Sequence, residues 1–276
     1  MMEEKQTEIS TLGEFGLIDR LTKDIEHVND STLTGVGDDC AVMSYKDTDV
    51  LVSTDLLVEG VHFDLTYVPL KHLGYKAAVV NFSDIYAMNG HPRQITVSLA
   101  ISKRFTVEHI EELYSGIRLA CEIYGVDLVG GDTTSSRAGL VISITCIGDA
   151  PKDRIVYRSG AHDTDLICVS GDLGSAYMGL QLLEREKVAS AGQKDFVPQF
   201  QGKEYLIERQ LKPEARRDII ENLAKAGIMP TAMMDVSDGL SSELLHICKA
   251  SNVGCRVYED RIPIDYQTAL MAEELN

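Results

Sequence analysis

The chain has 276 residues, of which 44% are hydrophobic, and this is enough for a sizeable apolar core and for two domains rather than one. Its 43 acidic and 26 basic side chains give a formal net charge of −17, which disfavours nucleic acid or an anionic membrane as the main partner. An anionic substrate would therefore need a metal cation to offset the negative charge.

The sequence also predicts a reduced, cytoplasmic protein. No apolar run approaches the length of a membrane span, and residues 1–5 lack the basic and apolar regions of a signal peptide. The six cysteines do not form C-x-x-C pairs, most lie in apolar runs, and none is at ligand spacing from a histidine. These features favour reduced core cysteines over disulfides or a thiolate metal site.

The amino-terminal half predicts an alternation of helices and strands. Apolar residues at helical spacing predict a first helix over 15–25. A glycine loop at 35–37 and a short strand over 40–43 follow it. Six further elements are predicted in chain order. They are a buried strand over 50–55, a long helix over 69–88, a half-buried strand over 95–101, a second helix over 106–117, and two more strands over 128–129 and 140–147. The first 149 residues therefore predict one α/β unit.

The strand over 50–55 ends in three side chains that carry oxygen, Ser53, Thr54 and Asp55. Neighbouring strand residues point to opposite faces, so Ser53 and Asp55 share one side, while Thr54 can still offer its carbonyl group. His62 follows between two apolar residues, and a lone histidine there is slightly more often structural than functional.

Asp84 is the one acidic residue on the apolar stripe of the long predicted helix. It follows Leu73, Ala77 and Val80 at offsets of three and four, which places it on the buried face. A buried carboxylate must be paired, hydrogen-bonded or bound to a metal, and we favour the metal.

Two glycine-rich segments follow predicted strands. Residues 128–129 lead into the hydroxyl-rich turn 130–134, a pattern that suits contacts with phosphate and metal. A predicted strand over 166–169 leads into 170–176, a glycine turn and helix start whose free amides suit a phosphate. The lysine of a P-loop and the dinucleotide fingerprint are both absent.

The polar segment 149–153 predicts a domain boundary. Beyond it, the aperiodic stretch 184–204 predicts a surface loop or lid, and Pro213 opens a further helix. Residues 235–239 lead into a helix over 240–248, where Asp235 and Asp238 lie three apart and either cap the helix or share a functional face.

Acidic turns beside apolar segments recur along the chain. Each Asp alone is first of all a turn residue. Two carboxylates brought to about 4 Å repel by roughly 1 to 4 kcal/mol, so a fold gathers them around cations, and Mg²⁺ is typically bound by a few carboxylates together with substrate phosphates. The set therefore predicts one convergent acidic site. The five turns lie at 35–42, 53–55, 81–84, 130–133 and 235–239.

These motifs resemble those of thiamine-monophosphate kinase, of the ATP-binding superfamily that includes aminoimidazole ribonucleotide synthetase and selenophosphate synthetase. The matching segments are 13–15, 35–41, 53–55, 62–63, 76–84, 130–134, 158–161 and 235–239. The resemblance implies that several Mg²⁺ ions are held by Asp39, Ser53, Thr54, Asp55, Asp84, Asp132, Asp235 and Asp238. It also matches Gly131, Asp132, Arg158 and Ser237 to nucleotide positions and His62 to a substrate contact.

The resemblance further implies an α/β (α+β) protein of two domains. Residues 1–149 form a mixed-sheet domain that binds metal and ATP and pairs with its copy in a homodimer, and residues 150–276 form an α/β domain beside the nucleotide cleft. The family normally continues into a G-G-E-D-Y segment with a final strand and helix, so we expect residues 150–276 to be an incomplete domain with an incomplete substrate pocket.

The implied reaction is the ATP-dependent phosphorylation of thiamine monophosphate to thiamine diphosphate. The substrate phosphate is itself the nucleophile, so the protein needs no catalytic side chain, only in-line positioning and cations. Two alternatives stay open: a sister ATP-using synthetase, and a catalytically silent protein that binds metal or dimerises. The lack of a cysteine before the first helix disfavours selenophosphate synthetase. ADP release on adding thiamine monophosphate separates the three.

Overall fold

The computed structural model describes Gly16 and residues 30–34, 37–191 and 197–275. The predicted first helix lies outside these residues except for Gly16, as do Gly35 and Val36 of the predicted glycine loop. The strands are β1 Thr32–Thr34, β2 Ala41–Tyr45, β3 Thr48–Val58, β4 His91–Ile101, β5 Asp127–Ser135 and β6 Leu140–Pro151. The helices are α1 Leu70–Ala87, α2 Val107–Tyr124, α3 Ser175–Ser190, α4 Glu204–Leu211, α5 Arg217–Ala226, α6 Leu240–Ser251 and α7 Tyr266–Leu275.

The six strands form one mixed sheet in the order β1-β2-β3-β6-β4-β5. Only β4 and β5 run parallel, and all other neighbours are antiparallel. Helix α1 packs across β3, β4 and β6, where side chains such as Ile142 and Ile144 are fully buried. The opposite face of the sheet carries exposed side chains, including Leu56 on β3 and Ser98 on β4. The mixed α/β architecture predicted from the sequence is confirmed.

Helices α1 and α2 contact each other through their backbones, because each helix places a glycine against the backbone of the other. A Cβ atom on Gly74 would lie 2.0 Å from the carbonyl oxygen of Leu113, and one on Gly116 would lie 1.9 Å from that of Lys71. No side chain fits between the two helices at these points. The contact fixes α1, whose last turn carries the acidic residue that the sequence placed on its buried face.

Replacing Gly74 with alanine should therefore destabilise the protein, although alanine is the better helix former. Overpacking of this kind costs roughly 1–3 kcal/mol, which exceeds the gain in helix propensity of at most about 1 kcal/mol. Urea denaturation should show a lower midpoint for Gly74→Ala. Gly254→Ala is the matched control, because a Cβ atom there meets nothing within 4 Å. An unchanged midpoint for Gly74→Ala would contradict the backbone contact.

The carboxy-terminal half is helical in the part of the chain that the structure describes. Leu182, Leu206 and Met271 form a small buried cluster between α3, α4 and α7. The hydroxyl groups of Tyr75 on α1 and Tyr124 on α2 donate to the Glu214 carboxylate at 2.8 and 2.6 Å. These bonds attach the carboxy-terminal helices to the helical layer of the sheet.

Several local predictions are wrong. The predicted strand at 166–169 has no strand partner among the described residues and leaves Leu166 89% exposed, because an apolar run forms a strand only where another strand can pair with it. The predicted loop over 184–204 is wrong for residues 184–190, since α3 continues to Ser190 and buries Glu186.

The predicted glycine turn at 130–134 is also wrong. These residues continue β5, which pairs in parallel with β4 up to Ser135. Gly131 is needed there for space, because a Cβ atom would lie 1.8 Å from the carbonyl oxygen of Val97. Glycine therefore permits close strand packing here and does not reverse the chain.

Among the described residues, none of the helices combines the length and apolar character needed to cross a membrane. The predicted cytoplasmic location stays a prediction. The prediction that the cysteines are core residues is wrong for Cys255, which is exposed.

Candidate active site

Three carboxylates from distant parts of the sequence meet beside the sheet. Asp39 precedes β2, Asp84 lies in the last turn of α1, and Asp235 lies in the loop before α6. One carboxylate oxygen from each lies within 4.8 Å of the other two. We call these three residues the acidic cluster. Its formation confirms the predicted convergence of acidic turns at these three positions.

Hydroxyl groups hold two members of the acidic cluster. The Ser53 hydroxyl on β3 donates to the Asp84 carboxylate, and the Ser83 hydroxyl donates to Asp235 at 2.7 Å. Asn81, which is fully buried, accepts the backbone N–H of Asp55 at 3.1 Å. The end of α1 and the middle of β3 therefore position the acidic side chains together.

Carboxyl groups in and beside the acidic cluster have raised pKa values. Burial, together with the neighbouring charges of Asp235 and Asp55, raises the pKa of Asp84 to about 9. Burial also raises the pKa of Asp235 to about 6, against the hydrogen bond from Ser83. Burial raises the pKa of Asp55, and the charge of His62 opposes it. Negative charges are thus crowded here, as expected for a site that gathers cations.

Arg158 supplies the positive charge beside the acidic cluster. Its guanidinium group donates twice to the Asp39 carboxylate, at 2.7 and 3.3 Å. Its backbone N–H donates to Asp38 at 3.1 Å, and Asp38 also accepts the N–H of Asp39 at 2.9 Å. The Asp39 side chain is 2% exposed and that of Arg158 is 18% exposed. A desolvated, two-pronged ion pair therefore closes one side of the site.

Removal of this guanidinium should destabilise the protein in the absence of divalent metal. Arg158→Gln leaves the buried Asp39 carboxylate without its partner, and we expect a loss of roughly 2 kcal/mol, between the costs for exposed and fully buried pairs. Urea denaturation with a chelator present measures the loss. Arg137→Gln, at an exposed position, is the control. Equal stability of both variants would show that the ion pair contributes nothing.

The other predicted metal residues occupy different positions. Thr54 points to the opposite face of the sheet, where its hydroxyl donates to the Ile144 carbonyl oxygen at 3.1 Å. Asp132 is exposed on β5, and its carboxylate accepts the N–H of Thr133 at 2.8 Å. Asp238 is exposed before α6. None of these three carries a side-chain oxygen in the acidic cluster, and their role as ligands stays a prediction.

The predicted substrate and nucleotide residues lie on four separate segments of the chain. His62 is exposed in the turn after β3, and its Nδ1 accepts the N–H of Val58 at 2.9 Å. Gly131 lies on the exposed strand β5. Ser237 follows Asp235 in the loop before α6. Arg158 is the predicted nucleotide residue that contacts the acidic cluster directly.

A buried carboxylate on α6 is among the residues of the site that were not predicted from the sequence. Glu243 on α6 is 4% exposed and accepts the N–H groups of Ser237 and Asp238 at 3.2 and 2.8 Å. It thereby fixes the loop that carries Asp235. Its position in the first turn of α6 is a local signal, because an acidic side chain is favoured near the amino end of a helix.

Comparison with known proteins gives consistent similarities over both halves of the chain. The family model described as AIR synthase related protein, N-terminal domain, matches residues 37–150, and its C-terminal domain counterpart matches residues 164–275. The thiamine-monophosphate kinase of Aquifex aeolicus is 35% identical over 96% of this chain and 80% of the relative. That of Bacillus subtilis is 37% identical over 92% of this chain and 75% of the relative.

Solved structures agree with these relatives. A structure described as AaThiL complexed with AMPPCP and TMP has a TM-score of 0.85 and 34% identity, and covers 98% of this chain and 81% of that protein. The crystal structure of thiamine monophosphate kinase from Aquifex aeolicus has a TM-score of 0.78 and 31% identity, with 98% and 82% coverage. The hydrogenase maturation protein HypE, at 19% identity and a TM-score of 0.65, shares the fold.

Proposed function

This chain belongs to the thiamine-monophosphate kinase family of AIR synthase related proteins, and from this premise we propose that it transfers the γ-phosphoryl group of ATP to thiamine monophosphate. The products are thiamine diphosphate and ADP. The observation that carries the proposal is the acidic cluster of Asp39, Asp84 and Asp235, which joins the amino-terminal sheet to the loop before α6.

The donor set fits Mg²⁺. Its atoms are carboxylate oxygens, two of the three carboxyl groups have raised pKa values, and these groups repel one another unless a cation or a proton intervenes. Asp39, Asp84 and Asp235 would hold the metal, with Asp55 beside them. Bound Mg²⁺ would offset the negative charge that develops on the transferring phosphoryl group.

The chain's own residues orient the site. Ser53 and Ser83 hold the carboxylates of Asp84 and Asp235 in place through hydrogen bonds. Arg158 holds Asp39 and also presents a guanidinium group, which suits contact with phosphate oxygens. The attacking atom is an oxygen of the substrate phosphate, so no protein nucleophile is required and none is assigned.

We further propose that the remaining predicted residues complete the site. Thr54, Asp132 and Asp238 would add metal contacts, Gly131, Asp132 and Ser237 would contact the nucleotide, and His62 would contact thiamine monophosphate. Residues 1–149 and 150–276 would act as two domains around the nucleotide.

A homodimer is part of the proposal. The sheet face opposite α1 exposes Leu56 by 55%, and β5 is exposed along its whole length. An apolar side chain and an open strand edge on an uncovered sheet favour contact with a second protein surface. A second copy of this chain is the proposed partner, and light scattering in solution tests it.

A turnover assay tests the function. ADP and thiamine diphosphate should form in equal amounts when ATP, Mg²⁺ and thiamine monophosphate are all present, and omission of any one should stop the reaction. A sister synthetase would release ADP only with another acceptor. A silent metal-binding protein would release none, and either result would overturn the proposal.

Thermal stability should provide a test of the metal requirement that does not depend on turnover. A ligand that binds only the folded state stabilises it by about 2.7 kcal/mol at a hundredfold excess over Kd. ATP with Mg²⁺ should therefore raise the melting temperature of this protein. ATP with a chelator should raise it much less, because the nucleotide then meets uncompensated carboxylates. Equal shifts under both conditions would contradict the metal role of the acidic cluster.

A further inference from the structure

The loop that carries Asp235 is held from two sides. Ser83 on α1 donates its hydroxyl group to the Asp235 carboxylate at 2.7 Å. On the other side, the Glu243 carboxylate of α6 accepts the backbone N–H groups of Ser237 and Asp238 at 3.2 and 2.8 Å, and both bonds go to its Oε1 atom. The loop is therefore bonded to α1 at the Asp235 side chain and to α6 at the backbone that follows it.

Glu243 uses one of its two carboxylate oxygens for these bonds. The residue is 4% exposed, and its buried Oε2 atom has no hydrogen-bond partner in the described part of the chain. A buried polar atom is normally hydrogen-bonded, and leaving one unpaired costs free energy. The fold accepts this cost at Oε2 while Oε1 fixes the backbone at two successive residues.

We propose that Glu243 is a positioning residue for the acidic cluster, and that it acts as an acceptor for backbone N–H groups and not as a metal ligand. It fixes residues 237–238, so that Asp235, two residues earlier, keeps its carboxylate beside those of Asp39 and Asp84. The inference rests on the proposed function, because it concerns the carboxylates that would hold Mg²⁺. Removal of a group that orients metal ligands typically lowers metal affinity or activity by roughly 10–100-fold.

The same two bonds determine what this loop offers to a nucleotide. The amino end of a helix often presents free N–H groups to an anion. Here the N–H groups of Ser237 and Asp238 point to Glu243, so they are not directed at a phosphate group. The Glu243 carboxylate also lies in the first turn of α6, where its negative charge offsets the positive end of the helix. The loop before α6 therefore favours a cation over a phosphate group bound by backbone amides.

Two substitutions separate the acceptor role of Glu243 from its charge. Glu243→Gln keeps the length of the side chain and an oxygen that can accept both N–H groups, and its amide nitrogen replaces an oxygen that has no described partner. Glu243→Asp keeps the carboxylate but withdraws it by one carbon–carbon bond. Glu204→Asp is the matched control, because Glu204 lies in the first turn of α4 and accepts the N–H group of Gly202 at 3.1 Å.

Titration calorimetry with Mg²⁺ and a non-hydrolysable ATP analogue measures the effect on the full chain. Glu243→Asp should weaken Mg²⁺-dependent binding by roughly 10–100-fold, because the loop loses its acceptor. The Kd for Glu243→Gln should lie closer to that of the parent than to that of Glu243→Asp, and Glu204→Asp should match the parent. Binding does not require turnover, so a failure of the proposed reaction would appear in the turnover assay and leave this comparison intact.

Hydrogen exchange measures the two backbone bonds directly. The amides of residues 237 and 238 should exchange faster in Glu243→Asp than in the parent, and at close to the parental rate in Glu243→Gln. Amides in β3 and β6 should exchange at the parental rate in all variants, which shows that each variant is folded and that the change is local.

Two results would overturn the proposal. Parental Mg²⁺-dependent affinity in Glu243→Asp, with faster exchange at residues 237 and 238, would show that the acidic cluster does not depend on this bond. Weaker binding in Glu243→Gln than in Glu243→Asp would show that the negative charge matters and the acceptor position does not.

Discussion

Replacement of Asp84 by asparagine should lower turnover at saturating ATP and Mg²⁺ by roughly 10²–10³-fold, the range for loss of a single electrostatic contact that stabilises a transition state. Asp84 lies within 4.8 Å of Asp39 and Asp235 through its carboxylate oxygen. Asparagine retains the shape and can still accept the hydrogen bond from Ser53, but it removes the charge that holds a cation. The loss should therefore appear in kcat and in the Mg²⁺ concentration needed for half-maximal rate.

The same variant should be more stable than the parent at neutral pH without metal. Because the pKa of Asp84 is raised from 3.8 to about 9, the folded parent binds a proton that the unfolded chain has released, and this lowers its stability at neutral pH. Asparagine removes that cost, so urea denaturation at pH 7 with a chelator should give a higher midpoint than that of the parent protein. Asp153→Asn, at an exposed position, is the control and should keep full activity. Parental turnover in Asp84→Asn would remove Asp84 from the proposed metal site.

Local periodicity predicted the acidic cluster in part. The three- and four-residue spacing in α1 placed Asp84 on the buried face, and strand alternation placed Ser53 and Asp55 on one side of β3 and Thr54 on the other. These predictions are confirmed because helix and strand geometry fix where neighbouring side chains point. The contact between Arg158 and Asp39 joins residues 119 positions apart, and no local period carries that information.

Glycine-rich segments gave the least reliable predictions of local structure. The sequence 130–134 contains turn residues, yet it forms the parallel strand β5 because Gly131 allows the close approach of β4. Glycine permits either a turn or tight packing, and the choice depends on a neighbouring strand that is distant in sequence. Residues 166–169 show the converse, since their apolar pattern suits a strand but no described strand pairs with them.

The hydrogen bonds that connect the amino-terminal and carboxy-terminal halves of the chain could not be predicted from the sequence either. Tyr75 and Tyr124 lie on two different helices and meet Glu214 through hydrogen bonds at 2.8 and 2.6 Å. Each residue alone fits an ordinary amphipathic pattern. Their convergence depends on the α1–α2 backbone contact at Gly74 and Gly116, which sets the distance between the two helices.

Metal-free protein should lose stability as pH rises from 5 to 8. The pKa of Asp84 is raised from 3.8 to about 9 in the folded protein, and that of Asp235 is raised to about 6. Between the unfolded and folded values, the folded state holds a proton that the unfolded state has released. The free energy of unfolding must then fall with rising pH, by up to about 1.4 kcal/mol per pH unit for each such proton.

Urea denaturation at several pH values with a chelator present measures this slope. Asp84→Asn removes the group with the largest shift, so its stability should depend less on pH than that of the parent across the whole interval. Asp235→Asn should flatten the slope mainly below pH 6, where Asp235 exchanges its proton. Asp153→Asn should reproduce the parental slope. If the parent is equally stable at pH 5 and pH 8, or more stable at pH 8, then the carboxylates are not crowded in the metal-free fold, and the physical basis for a cation at the acidic cluster fails.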